Sequence, residues 1–196
     1  MRSLIWFFCL TLGSSAPAAM KELELETIGV ALTAAELSGM AIYDNGVILV
    51  SDGGEDTTVF RAEERKNHRF ALVDWMRLPD YEGFAAYKKS FANAKQLKKK
   101  HRRFDLEGIA TCGDLIYFAN ERVREVFTAP ASRPKKLTRL DLPIATQPDI
   151  FEGGANAGLE GIAVDCKKQH LFVAKERDPR RLYKFDLKTN KLIKAE

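Results

Sequence analysis

The chain has 196 residues, 45% hydrophobic and 30% charged, the balance of a soluble globular domain with room for one sizeable core. A net charge of +4 is too small for this length to point to a nucleic-acid partner. No Gly-x-Ser-x-Gly elbow, His-Glu-x-x-His, Walker loop or Cys-x-x-Cys occurs, which leaves serine hydrolases, zinc peptidases and P-loop enzymes without support.

Arg2 precedes a short apolar run, Leu4 to Leu12, and then the small residues Gly13 to Ala19 with an Ala16-Pro-Ala18 exit. That order predicts a signal peptide over 1–18, and the run is too short to anchor stably across a bilayer. The mature domain would be 19–196, periplasmic or extracellular. Of the three cysteines, Cys112 and Cys166 then remain. An oxidising compartment permits a disulfide between them; two half-buried thiols are the alternative.

Residues 22–33 alternate weakly, as a lone strand would. A hairpin follows, Gly39–Asp44 and Val47–Ser51 around Asn45-Gly46, a strong turn signal. Thr57–Arg61 and Phe70–Leu78 read as its outer strands. Between 84 and 100 the period changes: Phe84, Tyr87, Phe91, Ala94 and Leu97 recur at helical spacing and lead into Lys98-Lys-Lys-His-Arg-Arg103. This predicts an inserted amphipathic helix whose basic end either meets an anionic partner or is a solvated cap. The second hairpin is Gly108–Thr111 and Leu115–Ala119, with outer strands Glu125–Ala129 and Leu137–Leu142. The third is Gly161–Asp165 and His170–Ala174, followed by Arg181–Leu187 and Lys191–Ile193.

These hairpins are copies of one unit. Asp105-Leu-Glu-Gly-Ile-Ala110 returns as Gly158-Leu-Glu-Gly-Ile-Ala163, and Glu36-Leu-Ser-Gly-Met-Ala41 is a weaker version. Each copy is an apolar run, a turn, a second apolar run and an acid. Strand-built repeats at glycines 39, 108 and 161 predict an all-β propeller. About three blades are present, a partial or open propeller, since closed ones have about four to eight. A chain truncated from a longer propeller is the expected explanation, with a part supplied by other chains or an open arc as the alternatives. Open blade edges favour self-association.

An antiparallel hairpin brings the start of its first strand beside the end of its second. Glu107 and Glu121 therefore meet, as do Glu160 and Glu176, while Ser38 and Asp52 hold the equivalent places in the first repeat. Asp52, Glu107, Glu121, Glu160 and Glu176 should gather at one mouth of the channel. Three readings stand. The acids bind Ca²⁺ or another oxygen-preferring cation; one of them is a general base in ester or phosphoester hydrolysis; or each accepts backbone N–H bonds, with Glu-Arg pairs as structural salt bridges.

Gly158 to Asp165 with Leu171-Phe-Val-Ala-Lys-Glu-Arg-Asp-Pro-Arg-Arg-Leu-Tyr183 resembles the SdiA-regulated and phytase-like ("esterase-like activity of phytase") β-propeller proteins of bacteria, and Asp105–Gly108 with Ala119-Asn-Glu-Arg122 repeats the pattern. The resemblance implies an exported propeller with a central channel. It points to Glu107, Glu121, Glu160 and Glu176 for Ca²⁺ and to Arg122 and Arg177 for an anionic substrate. Ser38 departs from the pattern. The expected protein is a Ca²⁺-dependent hydrolase of small anionic phosphate or carboxylic esters, with Glu107 and Glu160 catalytic. The alternative is a non-catalytic calcium-binding or scaffold propeller. Neither expectation includes a nucleic-acid partner or a stable membrane span.

Overall fold

The computed structural model describes residues 37–51, 58–66, 69–78, 105–132, 137–153 and 157–196. The expected signal peptide, the strand over 22–33, the helix over 84–100 and Asp52 lie outside these residues. Among the described residues there is no α-helix, and none forms a helix long and apolar enough to cross a membrane.

Among the described residues, twelve strands form three four-stranded antiparallel sheets, each in sequence order. The first holds β1 (Leu37–Tyr43), β2 (Gly46–Ser51), β3 (Thr58–Arg65) and β4 (Arg69–Arg77). The second holds β5 (Leu106–Cys112), β6 (Leu115–Asn120), β7 (Glu125–Pro130) and β8 (Thr138–Arg139). The third holds β9 (Leu159–Asp165), β10 (His170–Lys175), β11 (Arg181–Asp186) and β12 (Lys191–Ala195). The first strands pack side by side, β1 on β5 and β5 on β9, so the sheets fan out from a shared hub. This is an all-β, propeller-type arrangement of three blades.

Two apolar layers hold the fan together. Ile48, Val50, Val59 and Met76 on the back of the first blade meet Ile109, Ile116, Phe118 and Phe127 on the front of the second. Ala110, Tyr117, Ala119 and Val126 then meet Leu159, Leu171, Val173, Tyr183 and Phe185 of the third. At roughly 1.5–3 kcal/mol for each large side chain removed from water, these layers are the main reason the blades stack. The hub stays tight because the facing residues are small: a Cβ on Gly39 would lie 2.9 Å from the Gly108 Cα.

Two turns or strands differ from the sequence reading. The first hairpin turns at Asp44-Asn45, both at positive φ, and Gly46 is already paired with Tyr43. Asp and Asn tolerate that conformation, so the turn sits one residue earlier than Asn45-Gly46. The strand expected at Leu137–Leu142 shrinks to Thr138–Arg139. Beyond it the chain folds into successive turns that bury Ile144 and Ile150 against the third blade. Thr146 Oγ1 and Gln147 Nε2 both donate to the Pro143 carbonyl at 2.8 Å, and Asp149 accepts from the Tyr183 hydroxyl at 2.8 Å and from Arg181. At the opposite end of the hairpins from the acids, a disulfide joins Cys112 to Cys166 across neighbouring blades, with Cα atoms 5.6 Å apart.

Candidate metal centre

The residue preceding each repeated glycine falls outside the strand ladder. Leu106 pairs with Asn120 and Gly108 with Ala119, leaving Glu107 as an extra residue. Leu159 pairs with Lys175 and Gly161 with Ala174, leaving Glu160. In β1 the extra residue is Ser38. Such a bulge bends the strand and re-aims one side chain, here at the hub and always at the same end of the blade.

The other acids come from the turn that follows β6. The Glu121 N–H donates to the Asp105 carbonyl at 2.9 Å, and the buried Asn120 Oδ1 accepts from the Val123 N–H at 3.0 Å. Arg124 completes the turn at positive φ (53°). The turn lies flat on the third blade, where a Cβ on Gly158 would collide with the Glu121 carbonyl oxygen. Glycine at 158, where the second repeat has Asp105, is what lets Glu121 reach β9.

Asp105, Glu107 and Glu121 thereby place carboxylate oxygens all within 4.8 Å of one another. Asp105 and Glu121 are buried and Glu107 half-buried. Arg122 Nε is bonded to the Asp105 carboxylate and lies 3.9 Å from that of Glu121. Across the seam, Glu121 shares a hydrogen bond with Glu160. Burial, then the charges of Glu160 and Asp105, push Glu121 up to about 7, against the pull of Arg122. Burial also raises Glu160, and its acceptance of the Glu121 bond opposes that rise. Both carboxyls thus stand above their ordinary value, joined by a hydrogen bond across the seam.

Glu176 stands apart from this group. Its half-exposed side chain is clasped by Arg177 at 2.6 and 2.7 Å, and it acts on Glu160 only through its charge. Arg122 engages Asp105 and, at longer range, Glu121, whereas Arg177 engages Glu176 of its own turn. In the third repeat Lys175 takes the place of Asn120: it is 2% exposed, and its Nζ donates to the carbonyls of Arg177 at 2.5 Å and Pro179 at 3.1 Å.

Of the five acids read as ligands, Glu107, Glu121 and Glu160 converge, Glu176 stands apart with Arg177, and Asp52 lies outside the described residues. Asp105 was missed. Its signal was present, an acid opening the second repeat where the third has Gly158. The cluster contains neither thiolate nor imidazole, and an all-carboxylate donor set suits hard cations such as Ca²⁺ rather than zinc.

A sequence model of the SdiA-regulated family matches residues 96–196, which include β5 to β12 and every residue of the cluster. The chain belongs to the SdiA-regulated family. No curated protein matches its sequence. Among solved structures, this SdiA-regulated chain is similar to one in the crystal structure of a nidogen/laminin complex, with a TM-score of 0.51 at 13% identity. The match covers 83% of this chain and 49% of that one, so the SdiA-regulated chain spans about half its length. The computationally designed Ika4 protein matches at a TM-score of 0.43 and 10% identity, covering 90% of this chain and 80% of its own. Apo AztD from Citrobacter koseri matches at 0.39 and 10% identity, covering 82% and 33%.

Proposed function

We propose that this SdiA-regulated propeller binds a hard divalent cation, Ca²⁺ foremost, at the acidic end of its second and third blades. The observation that carries the reading is the meeting of Asp105, Glu107 and Glu121 oxygens within 4.8 Å. Two buried acids beside a third repel one another, and a cation offsets that repulsion. Asp105, Glu107 and Glu121 would hold the ion, with Glu160 adjoining. The protein works outside the cytoplasm in this reading, supported by the leader-like sequence over 1–18 and by the Cys112–Cys166 disulfide.

One observation favours a second step, hydrolysis of a small anionic phosphate or carboxylic ester. Glu121 and Glu160 hydrogen-bond at the same place, and burial raises both above an ordinary carboxyl. Bound Ca²⁺ supplies polarisation of an ester or phosphoryl oxygen. For the chain's own residues, Glu160 takes a proton from water, Glu121 returns one to the leaving oxygen, and Arg177 at the exposed rim draws in the anion. Arg122 holds the Asp105 carboxylate in place.

Calorimetric titration of the chelator-treated protein with CaCl₂ tests the first reading. Binding that weakens at least tenfold in Glu107→Gln supports it, and no binding up to about 10 mM, the weak end for extracellular sites, overturns it. Turnover of p-nitrophenyl phosphate or p-nitrophenyl acetate, abolished by chelator and by Glu160→Gln, supports hydrolysis. Cation binding without turnover of a broad ester panel identifies a binding propeller.

A further inference from the structure

A cleft of about 810 Å³ opens between the outer strands of the second and third blades. On one side it is lined by Arg139, where β8 stops, and by the turns over 140–146 that follow. The β11–β12 turn and the start of β12, Thr189 to Leu192, line the other. No residue of the acidic cluster takes part. The volume falls within the range of about 300–1,000 Å³ of small-molecule sites.

Glu125 is the buried charge of this cleft. It opens β7, and its side chain is 12% exposed. Its Oε1 accepts from Arg139 Nη1 at 3.2 Å, whereas its Oε2 is buried and accepts no hydrogen bond. A buried acceptor without a donor is costly, and a ligand that brings a donor removes that cost. Asp141, also on the lining, adds a second negative charge close enough to act on Glu125.

Lys191 brings the opposite sign from the third blade. Asp141 and Lys191 are both exposed, and neither is held in an ion pair among the described residues. Beside these charges the lining is aliphatic: Leu140, Leu142 and Leu192 pack on the core and face the cleft as well. A lone cation in the cleft would meet Arg139 and Lys191, and a lone anion would meet Glu125 and Asp141. A small ligand that carries both charges and an apolar part meets neither repulsion.

We propose that this cleft binds a free aliphatic α-amino acid. Its ammonium group donates to Glu125 Oε2 and Asp141, its carboxylate pairs with Lys191, and its side chain lies on Leu140, Leu142 and Leu192. Arg139 stays on Glu125 Oε1 and so leaves Oε2 to the ligand. The site shares no residue with the cation centre and stands whether or not that centre takes Ca²⁺.

Calorimetric titration of the whole chain with free leucine, isoleucine and valine tests this. It is run in chelator, so the cation centre does not contribute, and at about pH 7.5, above the value of about 7 to which burial raises Glu125. Saturable binding of at least one of the three below about 1 mM is expected. Isocaproate, which is leucine without the ammonium, and isoamylamine, which is leucine without the carboxylate, should each bind at least tenfold more weakly. Asp141→Asn and Lys191→Gln change exposed side chains, which spares the fold, and each should weaken amino-acid binding at least tenfold. Glu125→Gln, shown to be folded by circular dichroism, should do the same, while Lys167→Gln on the exposed β9–β10 turn binds as the wild type does. No saturable binding of any of the three up to about 10 mM overturns the proposal. So does isocaproate or isoamylamine binding as tightly as leucine, or an affinity unchanged in either Asp141→Asn or Lys191→Gln.

Discussion

Glu121 and Glu160 are joined by a hydrogen bond across the seam between the second and third blades. The contact depends on three backbone features. A bulge turns Glu160 out of β9, a tight turn carries Glu121 beyond β6, and Gly158 admits that turn against the neighbouring blade. The acidic cluster is therefore a product of blade stacking, and the state of its protons reports on the seam.

Stability should fall as the pH rises. Burial raises Glu121 and Glu125 from 4.5 to about 7. The folded chain then binds protons more tightly than the unfolded one, so stability is full below about 4.5 and is lost as the pH climbs through 7. The 2.5-unit shift corresponds to roughly 3 kcal/mol per group as an upper figure. Urea unfolding at pH 5 and pH 8 in chelator should show the loss. Glu121→Gln should remove about half of it, and Ca²⁺ should restore stability at pH 8. An unchanged slope in both Glu121→Gln and Glu125→Gln would refute the assignment.

Asp105→Asn separates the acids that hold the cluster from those at its rim. It leaves Arg122, whose side chain is only 24% exposed, beside a neutral amide. The expected cost is about 2 kcal/mol in chemical unfolding, with at least a tenfold loss of Ca²⁺ affinity. Glu176→Gln breaks a solvent-exposed pair and should cost under about 0.5 kcal/mol.

The repeats, the hairpins and the common end of the acids were legible because β-strands announce themselves by alternation and by turn residues. Glu107, Glu121 and Glu160 were found by asking where a hairpin brings its ends. The bulges were not legible as such: the Glu-Gly pairs marked them, but an extra residue in a ladder shows only once the partner strand is aligned. Asp105 escaped because the third repeat has glycine in its place, and matching copies hides the residue in which they differ. The short β8 escaped for another reason. Leu140, Leu142 and Ile144 look like strand residues, yet they bury themselves against the next blade through turns.

Reduction should weaken the fold while leaving the cation site intact. Cys112 and Cys166 are 54 residues apart in sequence and join the blades at the end away from the acids. Closing a loop of that length contributes about 4 kcal/mol on chain-entropy grounds and typically 2–4 in practice. Cys112→Ser, or the wild type in dithiothreitol, should unfold at lower urea with Ca²⁺ affinity within about twofold of the oxidised protein. Loss of affinity in parallel with stability would mean that the two ends of the seam are coupled.

Two glycine substitutions distinguish a close approach from a strained turn. Gly113 sits at φ +60° with nothing within 4 Å of its missing Cβ, so Gly113→Ala meets only the left-handed penalty, about 1 kcal/mol. Gly158 faces the Glu121 carbonyl, and Gly158→Ala must push the β6–β7 turn off the third blade. Overpacking of this kind costs about 1–3 kcal/mol, and here the displaced group is backbone, which yields less readily than a side chain. Displacement also parts Glu121 from Glu160, so the pH-dependent loss of stability should flatten in Gly158→Ala and persist in Gly113→Ala. Equal pH profiles in the two variants would show that Gly158 does not set the Glu121–Glu160 contact.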